Sequence, residues 1–507
     1  MPETGPPLGG GTVRPALTAF RHGVASADPL PDAVLLWTRC TTGAGEPVAV
    51  DWWLSPTPDP SDAVASGTAD ASPERDFTVH LDVVGLEPAT TYWYGFGLGA
   101  TTSPVGRTRT APAPDRPVEH LRVGLTSCAN WPCGFFNAYA NLAARDLDLI
   151  VHVGDYIYEN DRVSGSRRAV RAHRPRGVCV TLDDYRTRHA QYRADPDLQA
   201  LHARHPVVAA WDDHEIAGGA WRDGAHAHRR RHGSWVDRRA AAVQAYFEWI
   251  PVRRRAPESA SRSVGLGPLA QLVMLETRLS GRERPPGSTS GPTARVVDRD
   301  RGLLGEEQWR WLEGAVDGSP ARWLLVGNQV MMAPLHAVNV AGGMGVNATQ
   351  WDGYPAERER FYDTMRRAGR TSNVVVLTGD LHSSWAADLP VGAEFVTPSV
   401  TTDSFARTVL PSVPGASRLA RRVFLAQNDH LRMADLDRHG YVIVDVTPER
   451  LQADWWHVET IARRATGEHW GGGWWLGDGA VGLRPASAPA PVRAPAGEPS
   501  PRRAPRG

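Results

Sequence analysis

A chain of 507 residues exceeds one ordinary domain and can bury a large core. Its 56 basic and 56 acidic residues cancel, which removes any electrostatic case for a nucleic-acid partner. All the basic residues are Arg, so a P-loop lysine, a Schiff-base lysine and a lysine general base are excluded. Four cysteines (Cys40, Cys128, Cys133 and Cys179) are too few for a disulfide scaffold. No apolar run approaches the ~20 residues of a transmembrane segment. The first fifteen residues are Pro/Gly-rich and lack both a twin arginine and a hydrophobic signal core. Location is therefore open: either the protein stays inside the cell, or an export signal has been removed.

Residues 16–110 read as short strands, AVLLWTR, VAVDWWL, FTVHLDVVGL and TYWYGFGL, separated by Pro, Gly, Ser and Asp clusters. That pattern predicts a small β-sandwich. Within it, LEPATTYWYGF (86–96) resembles the tyrosine corner of fibronectin type III domains. No catalytic constellation falls in this stretch, and a Pro-rich linker, APAPDRP at 111–117, closes it.

From residue 118 to 485 apolar strands alternate with helical stretches, which predicts an α/β sandwich. The strands LRVGLTSC, DLIVHVGD, PVVAAWDD, RWLLVGN and NVVVLTGD all end in polar residues. Open α/β sheets collect their ligand sites at the carboxyl ends of strands. YVIVDV and LQADWWHVET read as later strands, and the Ala/Pro/Arg-rich residues 486–507 as a disordered tail.

The densest signal is GDYIY, where Asp155 and Tyr158 leave the strand Leu149–Val153 three residues apart. Both can turn onto one metal, the Asp can bridge to a second, and a phenolate suits a hard trivalent ion such as Fe³⁺. Cys128 alone reads as an inert buried thiol, but its place at a strand exit argues for a ligand. Asp212 competes with Asp213, and strand alternation predicts that only one of them points inward. Leu182, Tyr185, His189 and Tyr192 fall at helical spacing and read as a packed face.

Eight segments in order resemble the PhoD-type alkaline phosphatase/phosphodiesterase family of binuclear metallophosphoesterases. They are FRHGVASADP (20–29), LTSCANW (125–131), VGDYIYE (153–159), LDDYRTRHAQY (182–192), WDDHE (211–215), GNQVMM (327–332), GDLHSSW (379–385) and EFVTPSVT (394–401). The GDxxY element is shared with purple acid phosphatases. The resemblance implies a first metal on Cys128, bridging Asp155, Tyr158 and His382, and a second on Asp155, Asp213, Asn328 and Asp380. Relative to the usual metallophosphoesterase plan, Cys128 stands where a DxH pair is common and Asp213 replaces the Asn of GNHE. Asn328 replaces a His, and Asp380 the first His of GHxH. A mixed thiolate, phenolate, carboxylate and imidazole set is compatible with iron, and an all-oxygen set suits Ca²⁺ better than Zn²⁺. The resemblance likewise implies an Fe³⁺ and Ca²⁺ centre.

His214, matching the histidine of GNHE, is the candidate acid or phosphoryl-oxygen donor. The expected activity is hydrolysis of phosphate mono- and diesters at neutral to alkaline pH, by a hydroxide bridging the metals and without a phosphoenzyme. The competing expectation is a non-catalytic surface binding module on a degenerate scaffold.

Overall fold

The computed structural model describes residues 19–491, apart from residues 44, 162, 164–168, 257–258, 286–299, 339–343, 346–347 and 411–412. Among the described residues two large sheets carry the fold, one of ten strands and one of seven. The strands Leu121–Thr126, Leu149–His152 and Val207–Ala209 run parallel at the heart of the first. The parallel strands Trp323–Asn328 and Val374–Thr378 lie centrally in the second. All five strands expected to carry site residues are therefore present.

Both sheets are covered on both faces, so their strands are apolar on both sides. Alternation sorts the side chains into layers. Val123, Leu125, Leu149 and Val151 from the first sheet share one core with Trp323, Leu325, Val375 and Leu377 from the second. The opposite faces bury against helices. Ile150 meets Tyr139, Tyr185, Leu198 and Tyr246 from the helices Asn137–Ala143, Leu182–Arg193, Pro196–Arg204 and Trp235–Trp249. Leu324, Val326, Val374 and Val376 meet Trp309, Phe361 and Phe424 from Glu306–Val316, Pro355–Arg367 and Ala416–Gln427. The result is a helix–sheet–sheet–helix sandwich, the α/β class the sequence predicts. The helix Leu182–Arg193 starts at a Thr181 capping box and buries Tyr185, His189 and Tyr192, as its spacing implies. No helix of the described residues is long and apolar enough to cross a membrane.

The N-terminal strands form two layers around Val34, Leu36, Val50, Leu54, Tyr92 and Tyr94. Tyr92 accepts at its hydroxyl from the Glu87 backbone N–H at 3.0 Å, which is the tyrosine-corner bond. One of these layers, Val24–Ala27, Ala33–Arg39 and Thr78–Val84, is also part of the ten-stranded sheet, because Val24–Ala27 pairs in parallel with Val207–Ala209. The joint is reinforced by a buried ion pair, Arg262 to Asp28 at 2.6 Å. Trp37 Nε1 donates to the Glu248 carbonyl at 2.9 Å, and Trp249 Nε1 to Asp76 at 3.1 Å. The sheet thus runs straight across the linker at 111–117. At the other end, the chain expected to loosen at 486 instead finishes a strand, Arg484–Ala486. It is pinned further on by the Ala490 N–H donating to Asp454 at 2.9 Å. Residues 492–507 of the expected tail lie outside the described residues.

Candidate metal centre

Four of the expected donors, Cys128, Asp155, Asp380 and His382, have positive φ values of 60°, 56°, 58° and 53°. L-residues other than Gly, Asn and Asp seldom adopt this conformation, and where they do, the surroundings must hold them there. The surroundings are visible. Glu215, fully buried, accepts the backbone N–H groups of Asp155 (3.1 Å), Tyr156 (2.6 Å) and Asp212 (2.9 Å), tying two strand exits to one carboxylate. Burial, its largest influence, pushes that carboxyl up to about 8. Thr402 Oγ1 donates to the Cys128 carbonyl at 2.8 Å and lies 2.7 Å from the Tyr158 hydroxyl. Gly154 and Gly379, the glycines of the two GD pairs, sit where a Cβ would lie 2.4 Å from the Asp212 Cβ and 2.6 Å from the Ser127 Oγ. Only glycine lets these loops close on their neighbours.

These supports bring donor atoms into three overlapping groups, each spanning no more than 4.8 Å. The first joins Cys128, Asp155 and His382; the second Asp155, Asp213 and His214; the third Asp212, Asp213 and Asp380. Tyr158 completes the first, its hydroxyl donating to Asp155 Oδ2 at 2.7 Å and lying 3.3 Å from His382 Nε2. His382 Nδ1 lies 3.1 Å from the Asp403 carbonyl. That bond assigns the proton to Nδ1 and leaves Nε2 free as a ligand.

Two expectations are corrected. Asn328 is not brought to the other donors by any of its contacts. Its amide donates to the Val330 carbonyl and to Thr378 Oγ1, and its oxygen accepts from Trp351 Nε1 at 3.2 Å. The reason is alternation: positions 324, 326 and 328 share the helix-facing side of the strand, where Trp351 packs. The amide that does meet Asp380 is Gln350, whose Nε2 donates to Oδ2 at 2.5 Å. Asp212 was expected to face away from Asp213, yet both reach the same group. The strand ends at Ala209, so by residue 212 its two-residue alternation no longer governs direction.

Several functional residues went unassigned from sequence. Arg278, buried, binds both oxygens of Asp212, donates to Asp380 Oδ1 at 2.7 Å and sits 3.7 Å from Asp213. Glu159, the last residue of VGDYIYE, is buried and lies 2.7 Å from His214 Nδ1. Its other oxygen accepts the Gly218 N–H at 2.9 Å. The motif contained Glu159, but nothing local marked it as the partner of a histidine 55 residues away. His214 stacks on Tyr158 with ring centroids 4.1 Å apart. Burial works against a charge on His214. Glu159 first, then Asp213 and Asp155, outweigh it and lift its pKa well above the usual histidine range.

The donor set fits a metal centre. Burial first, then the charge of Asp155, pushes both the Cys128 thiol and the Tyr158 phenol well above their ordinary ranges. Four aspartates gather beside them, with Arg278 the guanidinium in contact. So much buried acid needs further positive charge, and a cation is what turns a thiol and a phenol into ligands. Beside the donors opens a cavity of about 530 Å³ lined by Tyr158, Glu159, His214, His382 and Thr402, with an arginine- and histidine-bearing segment on the outer wall.

A helix–sheet–sheet–helix sandwich with such donors at its strand ends defines a metal-dependent hydrolase. The family model of PhoD-like phosphatases matches residues 123–455, and that of the PhoD-like phosphatase N-terminal domain matches residues 9–112. The chain belongs to the PhoD-like phosphatase family and is a phosphoric ester hydrolase. Alkaline phosphatase D of Bacillus subtilis (strain 168) is 36% identical to it over 456 residues, covering 86% of this chain and 77% of that protein. The solved structure of PhoD superposes with a TM-score of 0.84 at 33% identity, over 94% of this chain and 93% of the other.

Proposed function

We propose that this hydrolase works at a two-metal centre, with Fe³⁺ held by Cys128, Asp155, Tyr158 and His382 and Ca²⁺ by Asp155, Asp213 and Asp380. The observation that carries the reading is the set of overlapping donor groups, with Asp155 common to two of them. The iron set is mixed and suits iron; the calcium set takes the carboxylates of the second and third groups, leaves His214 aside as proton donor, and is wholly oxygen, which suits calcium. Asn328 is left out of the second set because its amide is committed elsewhere.

When bound, the metals supply Lewis-acid charge that activates water and neutralises phosphoryl oxygens. The chain's own residues do the rest. Glu159 accepts from His214 Nδ1–H, and its charge, with that of Asp213 and Asp155, keeps the ring a cation, so Nε2 also carries a proton to present to the leaving alkoxide oxygen. Stacking on Tyr158 fixes the ring plane beside the metal donors. Arg278 balances Asp212 and Asp380 and keeps their oxygens in register. The cavity has room for a second ester group, which supports diesters as well as monoesters as substrates. The activity in the name of the Bacillus relative supports work at alkaline pH.

The test is elemental analysis of the purified protein together with a mono- and diester hydrolysis screen. Iron and calcium with hydrolysis are expected. Full activity with zinc as the sole metal would overturn the metal assignment, and hydrolysis of neither ester class would overturn the function.

A further inference from the structure

The segment His226–His232 reads HAHRRRH. An exposed basic run is most often a solvated surface, but this one lines the cavity beside the donors. His226, Arg229, Arg231 and His232 form its outer wall, whereas Arg230, between them, does not line it. Among the described residues, neither Arg229 nor Arg231 makes an ion pair with a carboxylate. The carboxylate within the cavity lining is Glu159, and it is turned to His214 and the Gly218 N–H.

The wall is also tied to the support of the proton donor. Ala227 donates its N–H to the Gly218 carbonyl at 2.9 Å and His226 donates to Gly219 at 3.1 Å, while Gly218 is the residue bound to Glu159. One continuous set of hydrogen bonds therefore runs from His214 through Glu159 and Gly218 to the basic segment, placing that segment on the leaving-group side. Burial first, then neighbouring arginines, lowers the pKa of His226 and His232, so at alkaline pH the charge on this wall is guanidinium charge.

Resting on the hydrolase reading above, we infer that Arg229 and Arg231 form a second anion subsite, which binds a negatively charged oxygen group carried by the leaving alcohol. The preferred substrates are then phosphodiesters whose leaving group bears a further phosphate or carboxylate. Guanidinium pairs with such groups through charge-assisted, often bidentate hydrogen bonds.

The experiment compares two diesters of one shape, methyl 3-carboxyphenyl phosphate and methyl 3-carbamoylphenyl phosphate, on the metal-loaded full chain. The readout is the ratio of kcat/KM for the charged substrate to that for the neutral one. In the double variant Arg229→Gln/Arg231→Gln this ratio falls about 10-fold or more, mainly through KM. Arg230→Gln, equally exposed but outside the cavity, keeps the parental ratio. The parental ratio also declines with added salt, and that decline flattens in the double variant. An unchanged ratio in the double variant overturns the subsite, as does an equal fall in Arg230→Gln, which would indicate only a diffuse field. A parent that hydrolyses neither diester overturns the diesterase reading on which the subsite rests, and it is recognised before any variant is made.

Discussion

Replacing Glu159 by Gln isolates one bond. The side chain is fully buried, and both of its oxygens are used, one 2.7 Å from His214 Nδ1 and one accepting the Gly218 N–H at 2.9 Å. Gln has the same shape and keeps the Gly218 bond through its oxygen, so the loop stays in place. Its NH₂ then faces His214 Nδ1, where the carboxylate used to accept a proton. The imidazole loses its counter-charge and becomes a neutral ring, a far weaker acid at Nε2. A hydrogen bond to a charged group is worth about 1.5–3 kcal/mol. At about 1.4 kcal/mol per factor of ten, turnover on a substrate with a poor leaving group falls about 10- to 150-fold. His214→Ala sets the ceiling, a loss of roughly 10²–10⁴ with metal content intact. The assay is kcat across aryl methyl phosphodiesters of rising phenol basicity, alongside metal analysis. The Glu159→Gln loss should grow as the leaving phenol becomes more basic, because a nitrophenolate departs without a proton and an alkoxide does not. An equal loss across the series, at unchanged metal content, would refute the positioning of His214 by Glu159.

Three further outcomes are expected. A phenolate and a thiolate on Fe³⁺ both donate charge to the metal, so the pure protein should absorb visible light. Tyr158→Phe should shift or remove much of the band with the fold intact, and Cys128→Ser should lower iron content further; an active, colourless enzyme would reject iron. A calcium chelator should abolish activity and Ca²⁺ should restore it better than Zn²⁺, since Asp155, Asp213 and Asp380 offer only oxygen; rescue by Zn²⁺ alone would refute the ligand set. Removing residues 1–112 should yield insoluble or unfolded protein, because it exposes the Val207–Ala209 edge and strips Asp28 from buried Arg262. A soluble truncate with full metal content would show instead that the catalytic sandwich stands alone.

Much of this site was legible because its donors come from short apolar strands followed at once by a polar exit. Cys128, Asp155, Asp213 and Asp380 each obey that rule, and the sheet order brings their exits together. Asn328 obeys it too, yet its side chain belongs to the helix side of the strand. Strand polarity can be read from a run of residues, but the face presented by the last one depends on what packs there. Arg278, Gln350 and Glu159 stayed invisible for another reason. Each acts on a residue 30 to 102 positions away, and no local pattern records a partner that distant. The N-terminal sandwich illustrates the same limit at larger scale. Its strands and tyrosine corner were readable, but not the pairing of Val24–Ala27 with Val207–Ala209 that merges it into the catalytic sheet.

The left-handed backbone at Cys128, Asp155, Asp380 and His382 links these observations. Asp tolerates this conformation better than most residues, so the cost, of order 1–3 kcal/mol for a residue held in a sparsely populated region, falls chiefly on Cys128 and His382. Relaxing any one of the four would turn its side chain away from the shared centre. What opposes relaxation is a group of buried anchors that touch backbone rather than substrate: Glu215 on three N–H groups, Thr402 on the Cys128 carbonyl, and Gly154 and Gly379 packed against neighbouring loops. The donors are therefore pre-placed by the fold, and a cation need only supply charge. That division of labour explains why the motifs extend beyond the donors themselves. Asp155 needs Gly154 before it, Asp380 needs Gly379, and Asp213 is followed two residues later by the Glu that fixes the Asp155 turn.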